Sequence, residues 1–255
     1  MTKKITLSII GLLILILLIT GIWLIRDYAY FYNYIGQKNL MNPTSNLILN
    51  LPNLGQSDKT INYLALGDSL TAGTGAELET QSYPYLIAQE LQKNANVNLM
   101  NLGIPGAVAQ NILQNELPQV QGFKPDIITL LIGINDMHDR VGLEKFKINL
   151  TAIIKQLKNY QGAKIALINI PFLGTPKIIH FPFRYYYQNQ TEKYNIIIKD
   201  LAAEHNLYLI DLYTNTKDLF SNNSDLYAVD QFHPSAKGYE LFFRIIYANT
   251  DCFPR

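Results

Sequence analysis

Short apolar runs alternate with longer amphipathic segments from residue 61 to the end of the chain. The runs have the length of buried strands and lie at residues 61–66, 97–102, 127–132, 164–170 and 207–212. The segments between them place apolar side chains at helical spacing, at about residues 82–95, 107–117, 143–160, 190–205 and 235–248. Nearly all-apolar strands separated by helices indicate a parallel sheet covered on both faces. The pattern predicts an α/β fold, a three-layer α/β/α sandwich around a parallel five-stranded sheet.

The N-terminus departs from this rhythm, because residues 5–25 contain no charged side chain. As a helix this run would be about 31 Å long at about 1.5 Å per residue, which is enough to cross a bilayer. A secretory signal peptide would have a shorter apolar core and a small-x-small cleavage site, and neither is present. We therefore predict an uncleaved transmembrane signal-anchor over residues 1–26.

Flanking charges suggest which side of the membrane the rest of the chain occupies. Lys3 and Lys4 precede the apolar run, and Arg26 and Lys38 follow it, so the positive-inside bias is small. It favours a cytoplasmic N-terminus. The prediction is a single-pass protein of the cell membrane whose folded domain is extracytoplasmic.

Residues 27–60 are rich in Asn, Pro, Ser and Thr, which is typical of a stalk between an anchor and a domain. Part of this stalk could pack on the domain through its apolar residues 47–49 and 51. The folded domain is predicted to span residues 61–255.

Charge and cysteine content narrow the classes of function. The 255-residue chain has a formal net charge of +1 and no arginine-rich stripe, which argues against a nucleic-acid partner. Cys252 is the only cysteine, so no disulfide can form within the chain. The oligomeric state stays open.

Polar residues with complementary chemistry follow several of the predicted strands. Ser69 comes after the first, Gly103 after the second and Asn135 after the third, while Asp230 and His233 lie between the fifth strand and the last helix. Ligands of open parallel sheets bind outside the carboxyl ends of the strands. The sequence therefore predicts one site with the groups that acyl transfer requires.

Each group has a physical role in such a site. The Ser69 hydroxyl needs a base before it can attack, and an imidazole, here His233, titrates near neutral pH. Asp230, three residues earlier, could orient that imidazole. The backbone N–H groups of Ser69 and Gly103 and the side-chain NH₂ of Asn135 could form the oxyanion hole.

The segments GDSLTAG, GIND and DQFHP, together with Gly103, resemble the four motif blocks of the SGNH hydrolases, also called the GDSL esterase/lipase family. The four letters of the family name map onto Ser69, Gly103, Asn135 and His233. The resemblance covers residues 61 to about 248. It implies a flavodoxin-like fold and a serine hydrolase of esters or thioesters that uses no metal and no cofactor.

Other titratable residues are expected to serve structure. We interpret His138 as a solvated loop histidine, Asp136 as a loop residue and Asp68 as a stabiliser of the turn before Ser69. No two histidines have metal-ligand spacing, so no metal site is predicted.

Residues 171–189 form a long aromatic connection after the fourth strand. One interpretation is an ordered loop that caps the sheet edge. The other, slightly favoured, is a wall or lid over an acyl-binding groove, with candidate substrate-binding residues Phe172, Phe181, Phe183 and Tyr185.

The motifs describe the ester bond and leave the substrate open. Lysophospholipids or other acyl esters suit an anchored enzyme, as in an esterase or lipase. O-acetyl groups of cell-surface polysaccharide suit the location equally well. A third hypothesis is a catalytically silent module that binds a lipid or a glycan in the same cleft.

Overall fold

The computed structural model describes residues 2–36, 47–55, 57–172, 178–248 and 251–254. Six strands form one sheet, in the spatial order β1-β3-β2-β4-β5-β6. Their bounds are β1 Leu47–Leu51, β2 Thr60–Gly67, β3 Asn96–Asn101, β4 Ile127–Leu131, β5 Lys164–Ile168 and β6 Tyr208–Ile210.

Helices cover both faces of this sheet. Their bounds are α1 Thr2–Gly36, α2 Ser69–Ala72, α3 Tyr83–Leu91, α4 Ala109–Asn111, α5 Ile134–His138, α6 Leu143–Leu157, α7 Phe183–Glu204, α8 Leu212–Asn222 and α9 Ala236–Ala248. Shorter helical turns are a π-turn at Ile112–Glu116 and 3₁₀ turns at Glu79–Gln81, Leu117–Val120 and Ser224–Leu226.

The α/β architecture expected from the apolar runs is present, because all five predicted strands form and pair in parallel as β2 to β6. The expectation of a five-stranded, wholly parallel sheet was wrong. A sixth strand, β1, pairs with β3 in the antiparallel direction, so the sheet is mixed. The side chains of β1 alternate between sheltered and exposed, as in a half-buried edge strand.

The structure describes two elements within residues 27–60, the segment predicted as a stalk. Helix α1 continues through the first part of this segment to Gly36, and Leu47–Leu51 is a strand of the sheet. Pairing with β3 shelters the apolar residues of β1 from water, which is how the expected packing of residues 47–49 and 51 on the domain takes place.

Two apolar cores, one on each face of the sheet, complete the three layers. Successive residues of β2 point to opposite faces, so Leu64 joins the core under α6 and α7 while Tyr63 joins the core under α3 and α9. Phe146 of α6 and Phe242 of α9 are fully buried in these two cores. The cores hold the strands rigidly, and the carboxyl ends of β2, β3 and β4 meet at one edge, which we call the catalytic edge.

Helix α1 differs from the other long helices in its exposure. Among the described residues it alone is long and apolar enough to cross a membrane, over Thr6–Tyr30. The side chains at residues 6–20 are all exposed, whereas a core helix of this composition would be buried.

Candidate active site

The candidate nucleophile lies at a tight turn after β2. Asp68 caps the short helix α2, with Oδ1 accepting a hydrogen bond from the Leu70 N–H at 2.9 Å. Ser69 is the first residue of that helix and is 5% exposed. The cap holds the turn, because it satisfies a backbone donor that the helix start leaves unpaired. The Ser69 hydroxyl therefore stands at the catalytic edge.

The candidate base and its partner carboxylate lie in the loop before α9. Asp230 is fully buried, and its Oδ1 accepts hydrogen bonds from the N–H groups of Phe232 and His233, both at 3.0 Å. Its Oδ2 lies 2.6 Å from Nδ1 of His233. The Ala228 N–H donates to the His233 carbonyl at 2.8 Å and closes the loop. Three of these contacts hold the backbone of the loop, and the fourth, at Nδ1, orients the imidazole.

The remaining nitrogen of His233 faces the serine. Nε2 lies 3.0 Å from Oγ of Ser69, so hydroxyl, imidazole and carboxylate form one continuous hydrogen-bonded chain. With Nδ1–H donating to Asp230, Nε2 is the ring nitrogen that can accept the serine proton. This arrangement can perform general-base activation of a hydroxyl.

Asn135 lies in the first turn of α5, directly after β4. Its Nδ2 donates to the Ala107 carbonyl at 3.0 Å, which ties the amide to the loop that follows β3. An amide NH₂ carries two hydrogens, so one remains for a ligand. The structure thus brings the Asn135 side chain to the loop beside the catalytic edge.

Gly103 does not fit the oxyanion role that the sequence indicated. Its N–H donates to Oδ1 of Asn101 at 3.1 Å, so this donor is already used inside the protein. A Cβ at Gly103 would lie 2.5 Å from the Ala72 backbone nitrogen. The absent side chain therefore allows close packing of the loop against α2.

Gly106, three residues later, was missed and has the properties that Gly103 lacks. It is exposed, has φ +81°, and lies in a turn closed by the Ala107 N–H donating to the Ile104 carbonyl at 3.0 Å. Within the described parts of the chain its own N–H has no hydrogen-bond partner. The sequence feature that could have identified Gly106 is the Pro-Gly pair at 105–106, which is typical of a type II turn.

Three buried carboxyl groups lie behind the nucleophile turn, and one of them, Glu116, was not singled out from the sequence. Its Oε2 accepts from the Gly67 N–H at 3.0 Å, and burial raises its pKa well above the usual value. Burial likewise raises the pKa of Asp68 to about 7 and that of Asp136 to about 6. Oδ2 of Asp136 accepts from the Ala109 N–H at 2.8 Å, which agrees with its expected loop role.

His138 is not the solvated residue that the sequence suggested. Its ring stacks on Tyr187, with centroids 5.0 Å apart, and meets the edge of Phe232 at 5.5 Å. Burial, and next the nearby His233, lower the pKa of His138 to about 4, so the ring is neutral at pH 7. The only sequence feature that pointed to a place for His138 near the site was its position three residues after Asn135.

The four aromatic candidates have different environments. Phe172 is 3% exposed and belongs to the core, beside a small cavity. Phe181 is 76% exposed and lines none of the cavities described below. Phe183 and Tyr185 line a larger cavity against α1. Of the four candidates, Phe183 and Tyr185 therefore line a groove, as predicted for substrate-binding residues.

No group of three or more His, Cys, Asp and Glu side chains within the described ranges could hold a metal ion. The groups that the structure brings together at the catalytic edge are a serine, an imidazole and a carboxylate. A layered α/β fold with these three groups in line defines a serine hydrolase.

The chain belongs to the GDSL-like Lipase/Acylhydrolase family, whose sequence profile matches residues 65–241, more than half of the chain. The resemblance to the SGNH hydrolases is thereby confirmed, and the protein is a serine ester hydrolase by family.

Known relatives include both lipases and acetyl esterases. The chain is 26% identical over 204 residues to the spore germination lipase LipC of Bacillus licheniformis, with 71% of this chain and 92% of that protein covered. It is 23% identical over 206 residues to an acetylxylan esterase of Geobacillus stearothermophilus, with 71% and 90% covered. The crystal structure of TesA superposes with a TM-score of 0.62 at 18% identity, covering 74% of this chain and 98% of TesA, which shows a shared fold.

Proposed function

We propose that this chain is a membrane-anchored ester hydrolase that works through an acyl-enzyme, with Ser69 as nucleophile, His233 as base and Asp230 as the acid that orients it. One observation carries the proposal: the unbroken chain of hydrogen bonds from the Ser69 hydroxyl through His233 to the buried Asp230 carboxylate. A module that only bound its ligand would gain nothing from burying this carboxylate and aligning it behind the imidazole.

The reaction begins when Ser69 Oγ attacks the ester carbonyl carbon and His233 Nε2 takes the hydroxyl proton. The tetrahedral adduct then collapses, the bond to the alcohol oxygen breaks, and the alcohol leaves with the proton from His233. Water repeats the cycle: His233 takes a proton from it, the hydroxide attacks the acyl carbon, and Ser69 Oγ leaves with that proton. Asp230 stabilises the imidazolium in both halves without accepting its proton.

The negative oxygen of each adduct needs donors at the catalytic edge. We assign this role to the Ser69 N–H, the second hydrogen of the Asn135 amide and the Gly106 N–H. Gly106 replaces Gly103 in this assignment because the Gly103 N–H is held by Asn101. Each such donor lowers the barrier by about 3 kcal/mol.

The anchor belongs to the same proposal. The apolar length of Thr6–Tyr30 and its exposed side chains support a span of the cell membrane with the hydrolase domain outside the cytoplasm. The mature protein should then keep its first residues and sediment with membranes. An N-terminal sequence beginning beyond residue 26 would contradict the anchor.

The decisive experiment replaces the nucleophile. Ser69→Ala should abolish hydrolysis of a short p-nitrophenyl ester and labelling by a fluorophosphonate, while circular dichroism stays that of the wild type. Ser82→Ala is a matched control, since Ser82 is a buried serine outside the catalytic edge. Well-folded wild-type protein that takes no label would favour the silent lipid- or glycan-binding module.

A carbohydrate O-acetylesterase with the same site is the second candidate. The relative named acetylxylan esterase supports it, and so does a cleft of about 590 Å³ that is lined by Gly75 and carries Asp225 and Lys237 at its rim. Charged rims of this kind suit a polar alcohol such as a sugar. The dependence of kcat/KM on acyl length separates the candidates: a sharp preference for acetyl indicates the esterase of glycans, and a steady rise with length indicates the lipase.

A further inference from the structure

A cavity of about 560 Å³ lies between the N-terminal helix and the hydrolase domain, and we call it the helix groove. Its walls come from three parts of the chain and are mostly apolar or aromatic. They include Leu24 and Tyr28 of α1, Met137 and His138 of α5, and Phe183 and Tyr187 of α7. This volume lies within the range of ordinary small-molecule sites, about 300–1,000 Å³.

One face of α1 is fixed against the domain at this groove. Gly21, Leu24, Asp27 and Tyr28 are half-buried, while every other residue between 6 and 30 is exposed. The spacing of these positions is that of a single helical face.

Three contacts hold the end of α1 in place. Asp27 Oδ1 lies 2.6 Å from Nδ1 of His180, and the Tyr28 ring lies 6.0 Å from that of Phe183. The Arg140 guanidinium lies 5.9 Å from the centre of the Tyr28 ring. Three of these docking residues, Tyr28, Phe183 and Arg140, also border the groove.

The groove leads toward the catalytic edge. A second, narrow cavity of about 20 Å³ shares Met137, His138 and Tyr187 with it and is walled on its other side by Phe232. The ring of Phe232 lies 5.1 Å from that of His233. Phe232 thus contacts both the narrow cavity and the base, and the lining of that cavity includes Arg184 beside the neutral His138 ring.

The antiparallel direction of β1 places the start of this strand at the catalytic edge, which is a separate observation from the position of the groove. Because β1 is antiparallel, its first residue, Leu47, pairs with Asn101, the last residue of β3. The chain that comes from α1 thus enters the sheet at the carboxyl edge, where Ser69 lies. A parallel β1 would have brought the chain to the opposite edge.

From these observations we propose that the helix groove binds the acyl chain of a bilayer lipid ester and receives it directly from the membrane in which α1 is embedded. The inference rests on the proposed ester hydrolysis at Ser69. Leu24 belongs to the apolar span, so the groove wall continues into the bilayer. The groove lining is mostly apolar or aromatic, with Arg140 and Asn189 among its polar residues, and burial of each methylene of an acyl chain there stabilises it by about 0.8 kcal/mol.

The test uses the full-length protein in phosphatidylcholine vesicles, with p-nitrophenyl palmitate in the bilayer and p-nitrophenyl acetate in solution. Leu24→Trp places a bulky ring at the membrane end of the groove. It should lower the ratio of palmitate to acetate kcat/KM about tenfold or more, the size expected when a pocket loses space for apolar groups. Leu17→Trp, on the same helix but 71% exposed, should leave the ratio at the wild-type value.

Each other result has a definite meaning. An unchanged ratio in Leu24→Trp overturns the groove proposal, and so does a wild type that prefers acetate. Neither result contradicts hydrolysis at Ser69, provided that Ser69→Ala abolishes acetate turnover. A wild type inactive on both esters overturns the proposed function itself.

A second measurement covers the case in which Leu24→Trp misfolds. Full-length Ser69→Ala protein in vesicles that contain a phosphatidylcholine with a diazirine at the end of its acyl chain should crosslink within residues 137–140 or 183–189. Crosslinks confined to residues 6–20 would show a chain that stays in the bilayer, and would overturn the proposal.

Discussion

The catalytic edge and the helix groove are built in opposite ways. At the catalytic edge, Asp230 and His233 are nearly inaccessible, and the Ser69 hydroxyl, the imidazole and the carboxylate are joined by contacts of 3.0 Å and 2.6 Å. In the helix groove, Tyr185 is 69% exposed and Tyr186 is 47% exposed, and the lining is mostly apolar or aromatic. The comparison teaches that one region is preorganised for bond chemistry and the other is shaped for adaptable apolar packing.

This difference predicts that substitutions at the catalytic edge lower the rate for every ester, whereas substitutions in the groove change the ranking of esters. Three predictions test that division, and a fourth tests the buried acids behind the nucleophile turn; they follow in order of decreasing size.

The largest effect is expected from Asp230→Asn. The amide would favour the wrong imidazole tautomer, and kcat should fall about 10⁴-fold for acetyl and palmitoyl esters alike. Steady-state kinetics on both substrates check it. Asp218→Asn, on an exposed carboxylate of α8 that lines neither cavity, is the control and should keep wild-type kcat. A loss restricted to one ester would break the division between the two regions.

Asn135→Ala should come next, with kcat reduced about 10²- to 10³-fold and KM changed little, because an oxyanion donor acts mainly in the transition state. The same loss is expected for both esters. If KM rises and kcat does not fall, Asn135 binds substrate and our assignment of the oxyanion hole is wrong.

Asp68→Asn should reveal the stability cost of the buried acids. Burial raises the pKa of Asp68 to about 7, so its stabilising contribution is complete below about pH 4 and is lost as the pH rises through 7. Asparagine can still accept from the Leu70 N–H and carries no charge. The free energy of unfolding of Asp68→Asn, relative to that of wild type, should rise by about 2–3 kcal/mol between pH 5 and pH 8, at about 1.4 kcal/mol per pKa unit.

Urea unfolding of both proteins at the two pH values measures this difference. Parallel stability curves would mean that Asp68 has the same affinity for protons in the folded and unfolded chain.

The smallest effect is expected in the groove. Phe183→Ala removes the ring that faces Tyr28 and should lower the palmitate-to-acetate ratio of kcat/KM about threefold to fivefold. Phe181→Ala, two residues away but 76% exposed, is the matched control and should not change the ratio. Equal effects of the two substitutions would remove the distinction between groove and surface.

The sequence pointed to Ser69 and Asn135 because each directly follows an apolar run that was predicted as a strand. Parallel strands place their carboxyl ends at one edge, so topology indicates that these two residues lie close together. The Asp230–His233 pair lies beyond α8, and the spacing of three residues within the pair was the signal for it. The sequence could not decide whether Gly103 or Gly106 is the oxyanion donor. Both follow β3, and what separates them is a single hydrogen bond from Asn101 that no spacing rule indicates.

The helix groove could not be predicted for a different reason. Its walls combine residues near 24, 137 and 183, which lie far apart along the chain and meet only because α1 docks on the domain. Strand β1 was likewise hidden, since five residues of weak alternation in a polar segment are compatible with a strand or with a loop. Helix α7 begins at Phe183, earlier than predicted, because its first turns are aromatic and not amphipathic.

The docking of α1 on the hydrolase domain has a kinetic consequence. With α1 in the bilayer, as we propose, the contacts of Asp27 and Tyr28 hold the domain at the membrane surface. The enzyme then meets a lipid ester by lateral diffusion, and the local concentration of ester is set by the bilayer. Its velocity should therefore follow the mole fraction of ester in the bilayer: inert lipid added to the same vesicles would slow it, whereas extra buffer around them would not.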